Sequence, residues 1–315
     1  MASREIAVAE LPQHSEPAVG SLSDLARRLV DPFRTVSPPE PRPATGFFTD
    51  TTVCIGCKAC EVACKQWNQL PADGLHFSGN SYDNTGHLGA STWRHVAFVE
   101  QTLSEALGSS DGQSAENGST FGMRWLMESD VCKHCQRAGC LEACPTGAIV
   151  RTEFDSVYVQ PDVCNGCGYC VAACPFGVID RRDDDGRAWK CTLCYDRLSD
   201  GLTPACAKHC PTESIQFGDV EELRIRAQRR LEELQARGVR GAQLYGEDAR
   251  SQPGTGGLNA FFLLLDRPEV YNLPPDPVVP TAKGRESWTF AGLAAAGMFF
   301  TAMAGALLAR GRSVR

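Results

Sequence analysis

The hydrophobic pattern changes character several times along the chain. Trp288–Ala309 is twenty-two residues without a charge. At about 1.5 Å per residue it reaches about 33 Å, enough to span a bilayer core as one helix. Residues 219–237 (DVEELRIRAQRRLEELQAR) instead predict an amphipathic helix. Leu223, Ile225, Ala227, Leu231 and Leu234 supply its apolar stripe. Asp219 can cap it, Glu221 and Glu222 suit its positive end, and Gly238 stops it. Arg94–Glu100 reads as a strand. TGAIVRTEFDSVYVQPD predicts a hairpin turning at Glu153–Ser156, and FGVIDRRDDDGRAWK a second turning at Asp184–Gly186. Residues 239–287 are rich in Gly and Pro, with one apolar run at Ala260–Leu265. Residues 1–46 form a Pro-rich arm in which Ser23–Val30 suits a short helix, and residues 104–122 a low-complexity insertion.

Between these elements sit sixteen cysteines, all in four groups of four. They are Cys54, Cys57, Cys60, Cys64; Cys132, Cys135, Cys140, Cys144; Cys164, Cys167, Cys170, Cys174; and Cys191, Cys194, Cys206, Cys210. The third group, VCNGCGYCVAACPFG, has the C-x₂-C-x₂-C-x₃-C-P spacing of a bacterial ferredoxin. Three thiolates two residues apart curl around one corner of an iron–sulfur cube, and the fourth leaves on a short helix towards a second cube. The second group is C-x₂-C-x₄-C-x₃-C-P, and the fourth carries eleven residues between Cys194 and Cys206. Lys65 follows Cys64 where the other three groups have Pro. A disulfide framework belongs to short secreted chains, and this long chain opens without the apolar region of a signal peptide. Zinc sites use pairs of cysteines brought from two places and need no third and fourth at these offsets. Without a His-for-Cys swap at any motif position, four [4Fe–4S] clusters are the expected cofactors.

The rule that the fourth cysteine serves the neighbouring cluster joins the motifs in pairs. Motifs two and three, one hairpin apart, pair with each other. Cluster C then takes Cys132, Cys135, Cys140 and Cys174; cluster D takes Cys164, Cys167, Cys170 and Cys144. Motifs one and four remain. Cluster A takes Cys54, Cys57, Cys60 and Cys210; cluster B takes Cys191, Cys194, Cys206 and Cys64. The expected fold is α+β: two nested two-cluster ferredoxin-like modules with short antiparallel hairpins, followed by one C-terminal transmembrane helix. The cluster domain is placed at 47–218, with 132–180 as its inner module. A helix and extended partner-contacting segment follow at 219–287, then the membrane helix at 288–309 and a basic tail at 310–315.

A formal net charge of −7 excludes general nucleic-acid binding. Lys58, Lys65, Lys133, His134, Lys190, Lys208 and His209 lie near the motifs, where positive charge raises cluster potentials; most read as ordinary surface groups. Phe176 and Ile149 are expected to keep water from the sulfurs. The tail RGRSVR favours a cytoplasmic C-terminus, with the cluster domain outside the cytoplasm and a single pass through the cell membrane. Gly297, Thr301 and Gly305 make a small-residue face for packing against another membrane helix. The chain carries no nucleophile–base constellation, P-loop or Rossmann fingerprint, so no catalytic residue is assigned.

From about Phe47 to the membrane helix the chain resembles the iron–sulfur (β) subunits of the molybdopterin oxidoreductase complexes. It is most similar there to the β subunits of membrane-bound respiratory formate dehydrogenases. The resemblance rests on CIGCKACEVACKQWN, CKHCQRAGCLEACPTGAI, CNGCGYCVAACPFG, WKCTLCYDRLSDGLTPACAKHCPT and GGLNAFFLLLDRPEVYNLPPDP. It implies two partners, a catalytic subunit with molybdenum or tungsten and pterin that oxidises formate, and a membrane cytochrome b that reduces quinone. Export would use a partner's twin-arginine signal. Three alternatives stay open: the β subunit of a membrane hydrogenase or another molybdopterin reductase, a membrane-tethered zinc-binding interaction protein, and a soluble polyferredoxin.

Overall fold

In a computed structural model the described residues are 42–102, apart from a few positions between 75 and 84, and 123–312, apart from residue 240. The helix expected at Ser23–Val30 and the insertion at 104–122 lie outside them. In chain order the strands and α-helices are β1 (Thr45–Asp50), α1 (Ala59–Trp67), β2 (Arg94–Thr102), β3 (Met123–Val131), α2 (Gly139–Glu142), β4 (Ile149–Arg151), β5 (Val157–Val159), α3 (Tyr169–Ala173), β6 (Asp180–Arg181), β7 (Ala188–Trp189), α4 (Tyr195–Ser199), α5 (Ala205–Lys208), β8 (Ile215–Asp219), α6 (Val220–Ala236), β9 (Gln243–Tyr245), β10 (Ala260–Leu264) and α7 (Gly284–Arg312).

A four-stranded sheet of order β8-β1-β10-β9 anchors the motifs. β1 runs directly into the first motif and β8 leaves the fourth. The two pair antiparallel, with Thr49 opposite Ile215. β10 pairs parallel to β1 on its other side, Phe48 opposite Phe261. This explains the unbroken apolar run at Ala260–Leu264: a central strand covered on both faces has no polar side to show. Phe48, Phe261 and Leu263 face α6, where they meet Val220, Leu223, Ala227 and Leu234. The rings of Phe48 and Phe261 stack at 5.5 Å. On the opposite face Phe47 and Ala260 pack among Cys60, Cys64, Cys191 and Cys206. The sheet thus separates a helix from the thiols.

α6 is capped by Asp219, whose Oδ1 accepts from the Glu221 and Glu222 amides at 2.8 and 3.2 Å. One stripe residue differs from the sequence reading. Ile225 is 54% exposed, and Val220 takes a place in the core instead. Ile225 lies two residues from both Leu223 and Ala227, which at 100° per residue turns it away from the face they share. α7 runs from Gly284 to Arg312, and its segment Ser287–Gly305 is long and apolar enough to cross a membrane, with none of that segment buried in the chain.

The helices that carry the motif cysteines have unequal lengths for a simple reason. α2, α3 and α5 are four or five residues long and stop before a Cys-Pro pair. Pro disfavours the helical conformation of the residue before it. Lys65 imposes no such stop, so α1 continues through Cys64 to Trp67.

Candidate iron–sulfur centres

All four motifs begin with the same turn. The residue two after the first cysteine has positive φ in each: Gly56 at 65°, His134 at 45°, Gly166 at 72° and Leu193 at 59°. This left-handed residue reverses the backbone so that the first and second thiols point to one side. Two motifs use glycine; His134 and Leu193 carry a strain of about 1–2 kcal/mol each. At Gly56 a Cβ would also stand 2.7 Å from the Phe98 ring. The helices carrying the third thiols then pack in pairs, α1 against α5 and α2 against α3. Gly139 permits the second pair: a Cβ there would lie 2.4 Å from the Ala173 carbonyl oxygen.

The sixteen thiols are all free and gather in sets that cross between motifs. Cys54, Cys57, Cys60 and Cys210 line one small cavity. Cys132, Cys135, Cys140 and Cys174 line another, with Phe176, Val178 and Ile179. Burial pushes the Cys64 thiol well up, helped by Cys191, Cys206 and Cys194, all from the fourth motif. Burial likewise pushes Cys170 up to about 11, helped by Cys164, Cys144 and Cys167. Neighbouring sets lie within electrostatic reach of one another. Cys60 feels Cys206, Cys191 feels Cys132, and Cys140 feels Cys170.

This donor set fits iron–sulfur cubes. Burial lifts Cys60, Cys140 and Cys194 to about 12, so as free thiols they are inert at neutral pH. Only a bound cation makes them thiolates. Among the described residues no three Cys, His, Asp or Glu side chains stand close enough to hold a single ion, whereas zinc needs four donors at about 2.0–2.3 Å. Bound [4Fe–4S] groups supply one-electron oxidation and reduction.

Several groups around the thiols were not legible as such. Lys133, His134 and Lys190 are buried at 1, 1 and 2% exposure, which corrects the reading of them as surface charges. Lys208 and His209 are exposed, and Lys58 and Lys65 half-buried. Lys133 pairs with Asp130 and lies over the rings of Phe176 and Phe262 at 5.3 and 5.2 Å. His134 is neutral: burial and the nearby Lys190 push its pKa well down, and its Nδ1 accepts from the Val157 amide at 3.0 Å. Arg94, fully buried, was read only as the start of a strand. Its Nη2 donates to Cys206 Sγ at 3.3 Å and its guanidinium lies 4.8 Å over the Phe47 ring. An arginine opening a strand with the apolar centre Val96–Val99 is the only mark it leaves in the sequence.

Sets of thiols spaced for cubes, held in pairs by packed short helices, define an iron–sulfur protein of the dicluster ferredoxin class. Residues 53–148 and 123–220 match two families, each described as a 4Fe–4S dicluster domain. The chain is 41% identical over 234 residues to the formate dehydrogenase iron–sulfur subunit of Haemophilus influenzae, covering 73% of this chain and 68% of that one. It is 40% identical over 256 residues to the nitrate-inducible formate dehydrogenase iron–sulfur subunit of Escherichia coli, covering 80% of each. A subunit of the anaerobic dimethyl sulfoxide reductase of Escherichia coli is 32% identical over 179 residues, covering 57% of this chain and 75% of that one. The chain belongs to the family of formate dehydrogenase iron–sulfur subunits, which transfer electrons and do not carry the catalytic site. Its two dicluster regions and sixteen cysteines fit four [4Fe–4S] clusters.

Proposed function

We propose that this chain carries electrons from a formate-oxidising molybdenum- or tungsten-pterin subunit to a cytochrome b in the membrane, and so to quinone. The carrying observation is the continuous series of thiol sets. Arg94 and Ser129 link Cys60 of the Cys54 set to Cys206 of the Cys64, Cys191, Cys194 and Cys206 set; Lys190 links that set to Cys132, Cys135, Cys140 and Cys174; and the packed helices α2 and α3 bring Cys140 towards Cys170 of the Cys144, Cys164, Cys167 and Cys170 set. These sets support the assignment to clusters A, B, C and D in that order, and with it a 132–180 module nested inside an outer one closed by the β1–β8 pair. The series has two exposed ends. Cys57 in the first set and Cys167 in the last are the exposed cysteines, and no cysteine of the inner sets is exposed. Exposed apolar side chains flank both: Ile55 and Val62 by Cys57, Val163 and Tyr169 by Cys167. A wire that meets a partner at each end has this form.

The unburied apolar Ser287–Gly305 segment supports a membrane anchor, and the arginines of the tail support a cytoplasmic C-terminus with the thiol sets on the other side of the cell membrane. A different molybdopterin reductase is the second reading, favoured by the likeness to the dimethyl sulfoxide reductase subunit; the higher identity and coverage of the formate relatives favour formate. Purification of the full chain in detergent with its co-eluting subunits, followed by formate-dependent dye reduction, tests the proposal. Co-elution with a nickel–iron subunit and reduction by hydrogen alone overturns it.

A further inference from the structure

A buried positive side chain stands at each of two junctions between neighbouring thiol sets. Arg94 spans the first. Nη2 donates to Cys206 Sγ at 3.3 Å. Nη1 donates to the Ser129 carbonyl at 3.0 Å, and Ser129 Oγ lies 3.2 Å from Cys60 Sγ. One guanidinium therefore joins a thiol of the Cys54 set to a thiol of the Cys191 set. Arg94 is 1% exposed and its Nε has no protein partner among the described residues. Lys190 spans the second junction. Its Nζ donates to the Cys191 carbonyl at 3.0 Å and to the Val157 carbonyl. The same side chain lines the cavity of Cys132, Cys135, Cys140 and Cys174. It is 2% exposed.

Among the described residues neither cation has a carboxylate within 4.0 Å. A buried charge is kept only where an opposite charge compensates it. The compensating charge here is on the thiolates and on whatever they bind. A fixed positive charge favours the reduced form of a cluster, which is one unit more negative than the oxidised form. The last set differs. Near Cys164 and Cys167 Arg181 is exposed and bonded to the Gly166 carbonyl at 3.1 Å. Water screens a charge at the surface.

We propose that Arg94 and Lys190 are potential-setting residues, each raising the reduction potentials of the two clusters it lies between. Arg94 acts on the clusters of the Cys54 and Cys191 sets, Lys190 on those of the Cys191 and Cys132 sets. The Cys191 cluster receives both, and the Cys164 cluster neither. The assignment rests on the ligand sets given above.

The test uses the full chain in detergent, with iron content and redox titrations followed by electron paramagnetic resonance. Arg94→Gln and Lys190→Met are each expected to keep the parent iron content and lower two midpoints. The change is at least tenfold in the reduced-to-oxidised ratio at fixed potential, about 59 mV for one electron. One cluster responds to both variants and one to neither. Arg94→Lys and Lys190→Arg, which keep the charge, leave the midpoints near the parent. Unchanged midpoints at full iron content overturn the proposal, as does an equal shift in the charge-keeping variants. Should a neutral variant lose iron, its charge-keeping counterpart decides: parent iron and midpoints there support the charge, and the same iron loss there means a structural role and overturns it. The ligand sets are read separately, from which signal each cysteine variant loses. A wrong set moves the assignment of the shifts and leaves their existence untouched.

Discussion

Asp50 and Arg230 are 180 positions apart in the chain, and Arg230 Nε donates to Asp50 Oδ2 at 3.0 Å. Asp50 ends β1 and Arg230 lies on the third turn of α6, so one contact ties the helix to the entrance of the first motif. Asp50 Oδ1 also accepts from the Thr52 amide at 2.9 Å, which caps the short turn leading to Cys54. Asp50→Ala should weaken this corner by about 2 kcal/mol, from the lost cap and the half-buried arginine left alone. A chain with bound clusters does not unfold in two states, so the readout is the rate of iron release on warming. Asp50→Asn, which keeps an accepting oxygen, should release iron more slowly than Asp50→Ala; equal rates would show that the cap contributes nothing.

Gly56 combines a positive φ with a crowded surrounding, and Gly238 has a positive φ in open space. Gly56→Ala should therefore lose about one cluster of iron per chain. Gly238→Ala should bear only the backbone term, about 1–2 kcal/mol, and keep its iron. Iron analysis of the two variants side by side decides whether crowding against Phe98 matters.

Cys174 follows α3, yet it lines the cavity of Cys132, Cys135 and Cys140. Cys174→Ala should damage the cluster built on those three thiols and spare the one built on Cys164, Cys167 and Cys170. Loss of the Cys164 signal instead would reverse the proposed pairing.

Glu128 is wholly buried, and neither carboxylate oxygen has a hydrogen-bond partner among the described residues. Burial, then the neighbouring Asp130, pushes its carboxyl well above the usual range, against the opposing pull of Lys133 and Arg94. The folded chain thus holds a proton that the unfolded chain releases near pH 4.3. Where the folded state binds more protons, stability falls as pH rises. The loss begins above about pH 4.3 and continues up to the raised folded value. Glu128→Gln should remove that slope and outlast the parent on warming at neutral pH. Parallel pH profiles for the two proteins would refute a protonated Glu128.

The apolar segment Ser287–Gly305 buries nothing within the chain. A chain ended at Glu286 should leave the membrane fraction without detergent and keep its iron. Iron loss on truncation would mean that the helix supports the thiol sets.

How much of this was legible beforehand follows from range. The hairpin sequences gave β4–β5 and β6–β7, because a strand, a turn and a strand lie within twenty residues of one another. Asp219 and Gly238 marked the ends of α6 because caps act on the nearest turn. The run at Ala260–Leu265 named an apolar segment but not its neighbours. Its place between β1 and β9 is set by burial on both faces, and no local pattern encodes which strands provide it.

The cysteine spacing alone determined the chemistry, since thiol offsets of two and three residues fix what the backbone can wrap around. The long uncharged run alone determined a helix able to span a bilayer. Charge was decided by the tertiary structure. Lys133, His134 and Lys190 look like surface residues in sequence, and Arg94 looks like a strand end. Folding brings distant thiols to Arg94 and Lys190 and the Val157 amide to His134, and it buries Lys133 with its near neighbour Asp130. A side chain's electrostatic role depends on partners within a few ångströms, and for these residues the sheet and the packed helices choose the partners.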